Sequence, residues 1–180
     1  MKLHLGCGKR NLGEDWVHID GGNHEHLRSH DITTLPFEGG TVELVYASHV
    51  LEYFDREEAV DVLKEWKRVL VPEGTLRVAV PDFEAMVRLY VETSASLDKF
   101  LGPLYGRMNM GDKKIYHKTV YDEYSLKALL FENGFRNIVL YNWRDTEHSH
   151  IDDHSQAYLP HMDKESGALM SLNVECRKHV

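Results

Sequence analysis

Two rhythms of apolar and polar positions alternate along the chain. Short runs rich in β-branched and aromatic residues, bounded by Gly, Asp, Asn and Pro, predict strands near residues 2–5, 17–20, 27–31, 43–47 and 75–80. Before the last of these, Ala59, Val60, Leu63, Trp66 and Leu70 recur at the spacing of one helix face. Asp55 and Glu58 offer a capping box at the start of that helix, and Pro72 and Gly74 are expected to stop it. Such a strand-helix-strand unit requires a parallel strand pair and a right-handed crossover. Further helices are predicted over residues 83–101 and 123–132, the latter ended by Asn133-Gly134. Residues 137–141 and 169–176 read as two closing strands, separated by a polar segment too long for a tight hairpin. No repeat, linker or shift of composition divides residues 1–180, so one α/β domain around one sheet is expected.

Composition and charge narrow the function classes. With 42% hydrophobic and 28% charged residues, 180 residues can bury a core without disulfide or metal staples. Cys7 and Cys176 lie near opposite ends and are expected to be free thiols. Residues 1–5 read as a strand rather than a leader, and no apolar run approaches the roughly 20 residues of a membrane helix. A cytoplasmic protein without a membrane partner is therefore expected. The formal net charge of −8 disfavours a phosphate-tracking surface, so no nucleic-acid partner is expected either.

The candidate chemistry clusters at the ends of the first strands. Gly6 and Gly8 follow the first strand, where absence of Cβ permits unusual dihedrals and close approach of a ligand. A dinucleotide fingerprint would put a third glycine at position 11, which is Asn11, so a pyrophosphate cradle is poorly supported. The connection from Gly8 to Trp16 is also compressed, about eight residues where a parallel crossover takes a dozen or more. A nucleoside ligand without phosphate tolerates that shortening. Asp20 ends the second strand, where a carboxylate can accept from two ribose hydroxyls. Asp31-Ile32 ends the third and could meet an adenine amino group and ring, or serve as a turn aspartate and a core isoleucine.

Leu5-Gly6-Cys7-Gly8, Trp16-Val17-His18-Ile19-Asp20, Leu35-Pro36-Phe37 and Ser48-His49-Val50-Leu51-Glu52 together resemble a class I S-adenosylmethionine-dependent methyltransferase. The likeness continues through Arg68-Val69-Leu70-Val71-Pro72-Glu73-Gly74 and Val80-Pro81-Asp82-Phe83 to Gly134-Phe135 and the closing strand, covering essentially the whole chain. More narrowly, it resembles a compact bacterial group of methyltransferases in which cell-surface sugars figure among the suggested acceptors. The resemblance implies a Rossmann-like, mostly parallel seven-stranded sheet with an antiparallel last strand and shortened first crossovers. It implies S-adenosylmethionine as cofactor, with contact roles for Gly6, Cys7, Gly8, Asp20, Asp31, Ile32, Ser48 and His49. The chain departs from the family in lacking a helix before the first strand, and in having Glu73-Gly74 where a Gly-Gly turn is frequent.

Methyl transfer needs an acceptor lone pair in line with the S–methyl bond at roughly 3 Å, so positioning and desolvation can supply most of the rate. His49, just after the fourth strand, is the candidate base for a hydroxyl acceptor, or a histidine bonded to backbone. Asp82 could orient the acceptor or cap the following helix. His117 and Tyr121 sit in a polar-aromatic stretch that could wall the acceptor or form a surface loop. Residues 102–121 and 143–168 are expected to shape the acceptor pocket. Two sets of residues are competent metal ligands, His148, His150, Asp152, Asp153 and His154 in the polar segment and His49 with Glu52 on one helix face, but without cysteines or a closer spacing no metal is expected. A segment similar to the one with His49 and Glu52 holds metal in some RNA 2'-O-methyltransferases, but Tyr53 stands here where those have histidine. The expected function is methyl transfer to an oxygen or nitrogen of a small-molecule or glycan acceptor. The alternative is a non-catalytic cofactor-binding subunit supporting a partner enzyme. An NAD oxidoreductase ranks last, for want of the third glycine and a Tyr-x-x-x-Lys pair.

Overall fold

A computed structural model describes residues 1–179. The chain runs β1 (Lys2–Leu5), β2 (Trp16–Ile19), β3 (Leu27–Ser29), β4 (Val42–Ser48), α1 (Glu58–Val69), β5 (Leu70–Pro81), α2 (Phe83–Thr93) and α3 (Asp98–Tyr105). It continues through β6 (Met108–Met110), β7 (Lys113–Ile115), α4 (Glu123–Glu132), β8 (Phe135–Leu140), β9 (Tyr158–Leu159), β10 (Ala168–Leu169) and β11 (Ser171–Lys178). Seven strands form one sheet in the order β3-β2-β1-β4-β5-β11-β8. The β3-β2-β1-β4-β5 run is parallel, and β11 is antiparallel to both β5 and β8. This is the predicted sheet with its reversed last strand. The first crossovers are loops, because residues 6–15 and 20–26 are too few to form a helix and return to the sheet.

Alternation along β1 separates two faces of different chemistry. Leu3 and Leu5 point into an apolar core with Ile19, Val45, Val78 and Val80, covered by Leu63 and Trp66 of α1 and by Leu126 and Leu130 of α4. Burial of each aliphatic side chain there stabilises the fold by about 1.5–3 kcal/mol, so Leu63→Ala would cost about 2–5 kcal/mol. The Trp66 indole also donates to the carbonyl of Ile32 at 2.9 Å, pinning the segment after β3 to α1. His4 points to the opposite face, among Trp16, His18 and Tyr46. There a polar segment replaces a helical layer. The His148 ring lies 4.3 Å from that of Tyr46, Asp153 accepts from the Tyr46 hydroxyl, and Asn173 donates to the carbonyl of Ser155 at 2.9 Å. The long polar connection between the closing strands thus packs on a polar sheet face and hydrogen-bonds Tyr46 and Asn173 of it.

Four expectations are corrected. Helix α1 ends at Val69, and Leu70 already belongs to β5. Pro72 and Gly74 mark a bulge inside that strand, where the register against β4 slips between Val42 and Leu44. The single helix expected over 83–101 is two, broken after Thr93 where Ser94 takes a left-handed conformation with φ 50°. The Ser-Ala-Ser cluster at 94–96 carries the signal for that break. Finally, β6 and β7 form a hairpin turned by Gly111 at φ +59°, within a stretch predicted only as a wall or loop.

Candidate functional site

The carboxyl ends of β1, β2 and β4 open onto a cavity of about 640 Å³. Gly6, Asp20, Gly21, Asp31, Ile32 and Thr33 form one half of its wall. Gly6 is required by packing as well as by its φ of +64°, since a Cβ there would lie 2.2 Å from Val50 Cγ2. Gly8, at φ +55°, has open space where a Cβ would be, and its N–H donates to Asp20 Oδ2 at 2.8 Å. The N–H of Gly22 donates to Asp20 Oδ1 at 2.6 Å. Asp20 thereby fastens the loop after β1 and its own turn. Each of its oxygens keeps a second acceptor site for a ligand.

Asp31 combines both of its expected roles. Its Oδ1 accepts from the hydroxyl and N–H of Thr33 at 2.6 and 2.8 Å, and the Thr33 hydroxyl is the main cause holding the carboxyl below its usual range. Among the described residues its Oδ2 makes no hydrogen bond, and the residue lines the cavity. Ile32 lines the cavity too while packing against the core. Cys7, Gly8 and Ser48 stand behind this wall rather than in it. Cys7 is buried, which pushes its thiol up to about 12 and leaves it inert as a nucleophile.

The other half of the wall comes from the turn after β4 and from the hairpin: Val50, Tyr53 and Phe54 face Met108, Met110 and Ile115. Lys118 and Glu58 pair at the rim, Nζ to Oε2 at 2.7 Å. No residue of 143–168 lines the cavity, so the acceptor wall expected there belongs instead to the polar layer on the other sheet face. The contribution of Val50, Tyr53, Phe54 and the two methionines had no local motif to betray it.

Of the three catalytic candidates, only His49 lines the cavity. Its backbone is left-handed, at φ 54°. Its Nε2 lies 3.1 Å from Ser171 Oγ and its Nδ1 3.6 Å from Glu52 Oε1. Burial, followed by the neighbouring His154, His117 and Arg10, holds its pKa well below the usual histidine value, so the ring is neutral. Asp82 caps α2, its Oδ1 accepting from the N–H of Ala85 at 3.1 Å. His117 is turned inward, with Nδ1 3.0 Å from the carbonyl of Pro103 and Nε2 3.7 Å from Glu52 Oε1. Neither Asp82 nor His117 reaches the cavity wall. Tyr121 is buried in the core, away from the surface loop its sequence allowed. Glu52 itself, which the sequence offers only as a metal ligand, is wholly buried and has no hydrogen-bond partner on either carboxylate oxygen. Among the described residues no group of three or more His, Cys, Asp or Glu is arranged to hold a metal, and no helix is long and apolar enough to cross a membrane.

Residues 9–78 match the family described as a methyltransferase domain. A demethylmenaquinone methyltransferase from Staphylococcus epidermidis is 28% identical over 116 residues, covering 61% of this chain and 47% of that protein. The chain thus spans about half the length of the curated relatives it matches. Among solved structures, a SAM-dependent methyltransferase from Methanosarcina mazei superposes with a TM-score of 0.59 at 14% identity, covering 99% of this chain and 92% of that one. The Burkholderia thailandensis 1,6-didemethyltoxoflavin-N1-methyltransferase, solved with 1,6-didemethyltoxoflavin and S-adenosylhomocysteine bound, gives a TM-score of 0.56 at 12% identity. That alignment covers 99% of this chain and 71% of the other. At such identities the structural likeness establishes the fold.

Proposed function

We propose that this chain is a class I S-adenosylmethionine-dependent methyltransferase that acts, as one domain, on an oxygen or nitrogen of a small, largely apolar acceptor, a reading supported by the methyltransferase-domain match over residues 9–78 and by the fold. One observation carries this reading: a single cavity joins the acids at the ends of β2 and β3 to an apolar wall built by Val50, Tyr53, Phe54 and the hairpin. A cavity of about 640 Å³ lies in the range of small-molecule sites. Its apolar half suits a flat or aromatic acceptor better than a glycan, whose many hydroxyls would find no partners on Val50, Phe54, Met108, Met110 and Ile115. The similarity to a demethylmenaquinone methyltransferase supports the same direction. The two unpaired, buried cysteines fit a reducing, cytoplasmic setting.

In this reading S-adenosylmethionine, when bound, supplies a methyl group on a positively charged sulfur. Asp20 would hold the ribose hydroxyls by accepting from them, Asp31 would accept from the adenine amino group, and Ile32 would pack on the ring. The apolar wall excludes water and holds the acceptor lone pair in line. His49, kept neutral and placed in the wall, is the group that takes the acceptor's proton.

Calorimetric titration with S-adenosylhomocysteine, followed by mass spectrometry of a panel of phenolic, quinol and amine acceptors with labelled cofactor, tests the proposal. Binding stabilises the fold by about 2.7 kcal/mol at a hundredfold excess over Kd. His49→Ala should leave that binding intact and lower transfer by about 10²–10⁴-fold. Absence of binding would remove the proposal, and binding without transfer to any acceptor would favour a supporting subunit.

A further inference from the structure

Glu52 occupies the short turn of Leu51–Tyr53 with its side chain 1% exposed and both carboxylate oxygens unpartnered. His49 faces it from the end of β4 and His117 from the segment before α4, at 3.6 and 3.7 Å from the same oxygen, Oε1. The phenols of Tyr121 and of Tyr53 lie close enough to feel its charge, and His154 and Arg10 lie beyond His49. Among the described residues no lysine or arginine pairs with it.

The hydrogen bonds assign both imidazoles. The Pro103 carbonyl can only accept, so His117 Nδ1 carries a proton, and burial, which lowers the His117 pKa, keeps the ring neutral and Nε2 bare. The Ser171 hydroxyl donates to Asn173 Oδ1 at 2.9 Å, so it accepts from His49 Nε2–H and leaves Nδ1 bare. Two lone pairs therefore converge on one buried carboxyl group. An ionised Glu52 would set acceptors against acceptors with no donor among them, whereas a neutral acid supplies one proton. Burial points the same way, pushing this carboxyl up to about 8.

The roof of the cavity hangs from this point. The N–H groups of Lys118 and Thr119 donate to the Glu52 carbonyl at 2.8 and 3.3 Å, and the Tyr53 hydroxyl donates to the Gly106 carbonyl at 2.7 Å. A Cβ at Gly106 would lie 1.8 Å from His117 Nε2, so the base of the hairpin closes directly on the imidazole. At the far end Met110 Sδ sits 3.0 Å from where a Gly21 Cβ would be, beside Asp20.

We propose that Glu52 is the positioning residue of this roof: held as a neutral acid between the bare nitrogens of His117 and His49, it lets residues 106–119 pack closed over the cavity, and its ionisation, with no donor there to receive the charge, loosens them. This clasp concerns the protein alone. Only its effect on ligand affinity rests on the reading of the cavity as a cofactor site. Amide hydrogen exchange of residues 106–119, corrected for intrinsic rates, should be measured at pH 6.5 and pH 9 in the wild type and in Glu52→Gln, which keeps a donor at all pH values. Wild-type exchange should rise about tenfold at pH 9, while Glu52→Gln stays protected at both. Equal wild-type exchange at the two pH values would overturn the clasp, as would a parallel rise in Glu52→Gln. Should the variant fail to fold, the side-chain carboxyl carbon of Glu52 in the wild type decides, an ionised signal at pH 6.5 being the contrary result. S-adenosylhomocysteine affinity should weaken over the same pH interval. A roof that loosens in a protein that never binds the ligand would discard the cavity reading and leave the clasp standing.

Discussion

The N–H of Gly8 donates to the carboxylate of Asp20 at 2.8 Å, binding the loop after β1 to the end of β2. Asp20 also holds the N–H of Gly22, so one side chain organises two backbone segments that border the cavity. Asp20→Ala strands both donors in a largely buried place, which costs about 1–3 kcal/mol. It also removes the acceptor for the ribose hydroxyls, so S-adenosylhomocysteine affinity should fall by at least about tenfold, or 1.4 kcal/mol. Urea unfolding and calorimetry read the two effects separately. A normal Kd in a destabilised protein would confine Asp20 to the loop-fastening role.

That relationship was half legible in the sequence. An acid at the end of a strand, following two glycines at the end of the previous one, points to a ligand. It does not disclose that the acid is also the staple of the glycine loop, because a hydrogen bond between residues 8 and 20 needs the parallel register of β1 and β2. Helix α4 was readable to the residue because Glu123–Glu132 is bounded by local signals, a cap at Asp122 and Asn133-Gly134 at its end. The cavity roof was not. Met108 and Met110 are ordinary apolar residues in a short polar stretch, and Glu52 is one acid among many until folding brings His49 and His117 to it. Local chemistry announces caps and turns, whereas burial without a partner exists only in three dimensions.

The two glycines of the loop should respond differently to the same substitution. Both have positive φ, +64° at Gly6 and +55° at Gly8, so alanine is strained at either, by about 1–2 kcal/mol. Only Gly6 adds a clash, 2.2 Å to Val50 Cγ2. Gly6→Ala should therefore destabilise by about 2–4 kcal/mol and Gly8→Ala by about 1–2 kcal/mol in chemical unfolding. Pairing Gly6→Ala with Val50→Ala should recover part of the packing loss and none of the backbone strain. Equal costs at the two glycines would mean that the loop, rather than Val50, absorbs the extra carbon.

Stability should peak near pH 6.5 and fall on both sides, for opposite reasons. On the acid side, burial holds His4 and His49 well below the ordinary histidine value and His148 at about 4, so these rings are neutral in the fold. The unfolded chain then binds more protons than the folded one below about pH 6.5, and stability falls as pH drops through that range. On the alkaline side Glu52 governs. Its folded value of about 8 lies above the unfolded 4.5, so its contribution is complete below pH 4.5 and is lost as pH rises to about 8. Between pH 4.5 and 6.5 the histidines outnumber it and set the sign. From pH 6.5 to 8 its loss stands alone, at no more than about 1.4 kcal/mol per pH unit, or about 2 kcal/mol in all. Urea unfolding at half-unit intervals from pH 5 to 8.5 should trace this curve, and Glu52→Gln should erase the alkaline limb while keeping the acid one. A wild-type curve that is level from pH 6.5 to 8 would mean that Glu52 is already ionised in the folded protein, and that water or a neighbouring group reaches it.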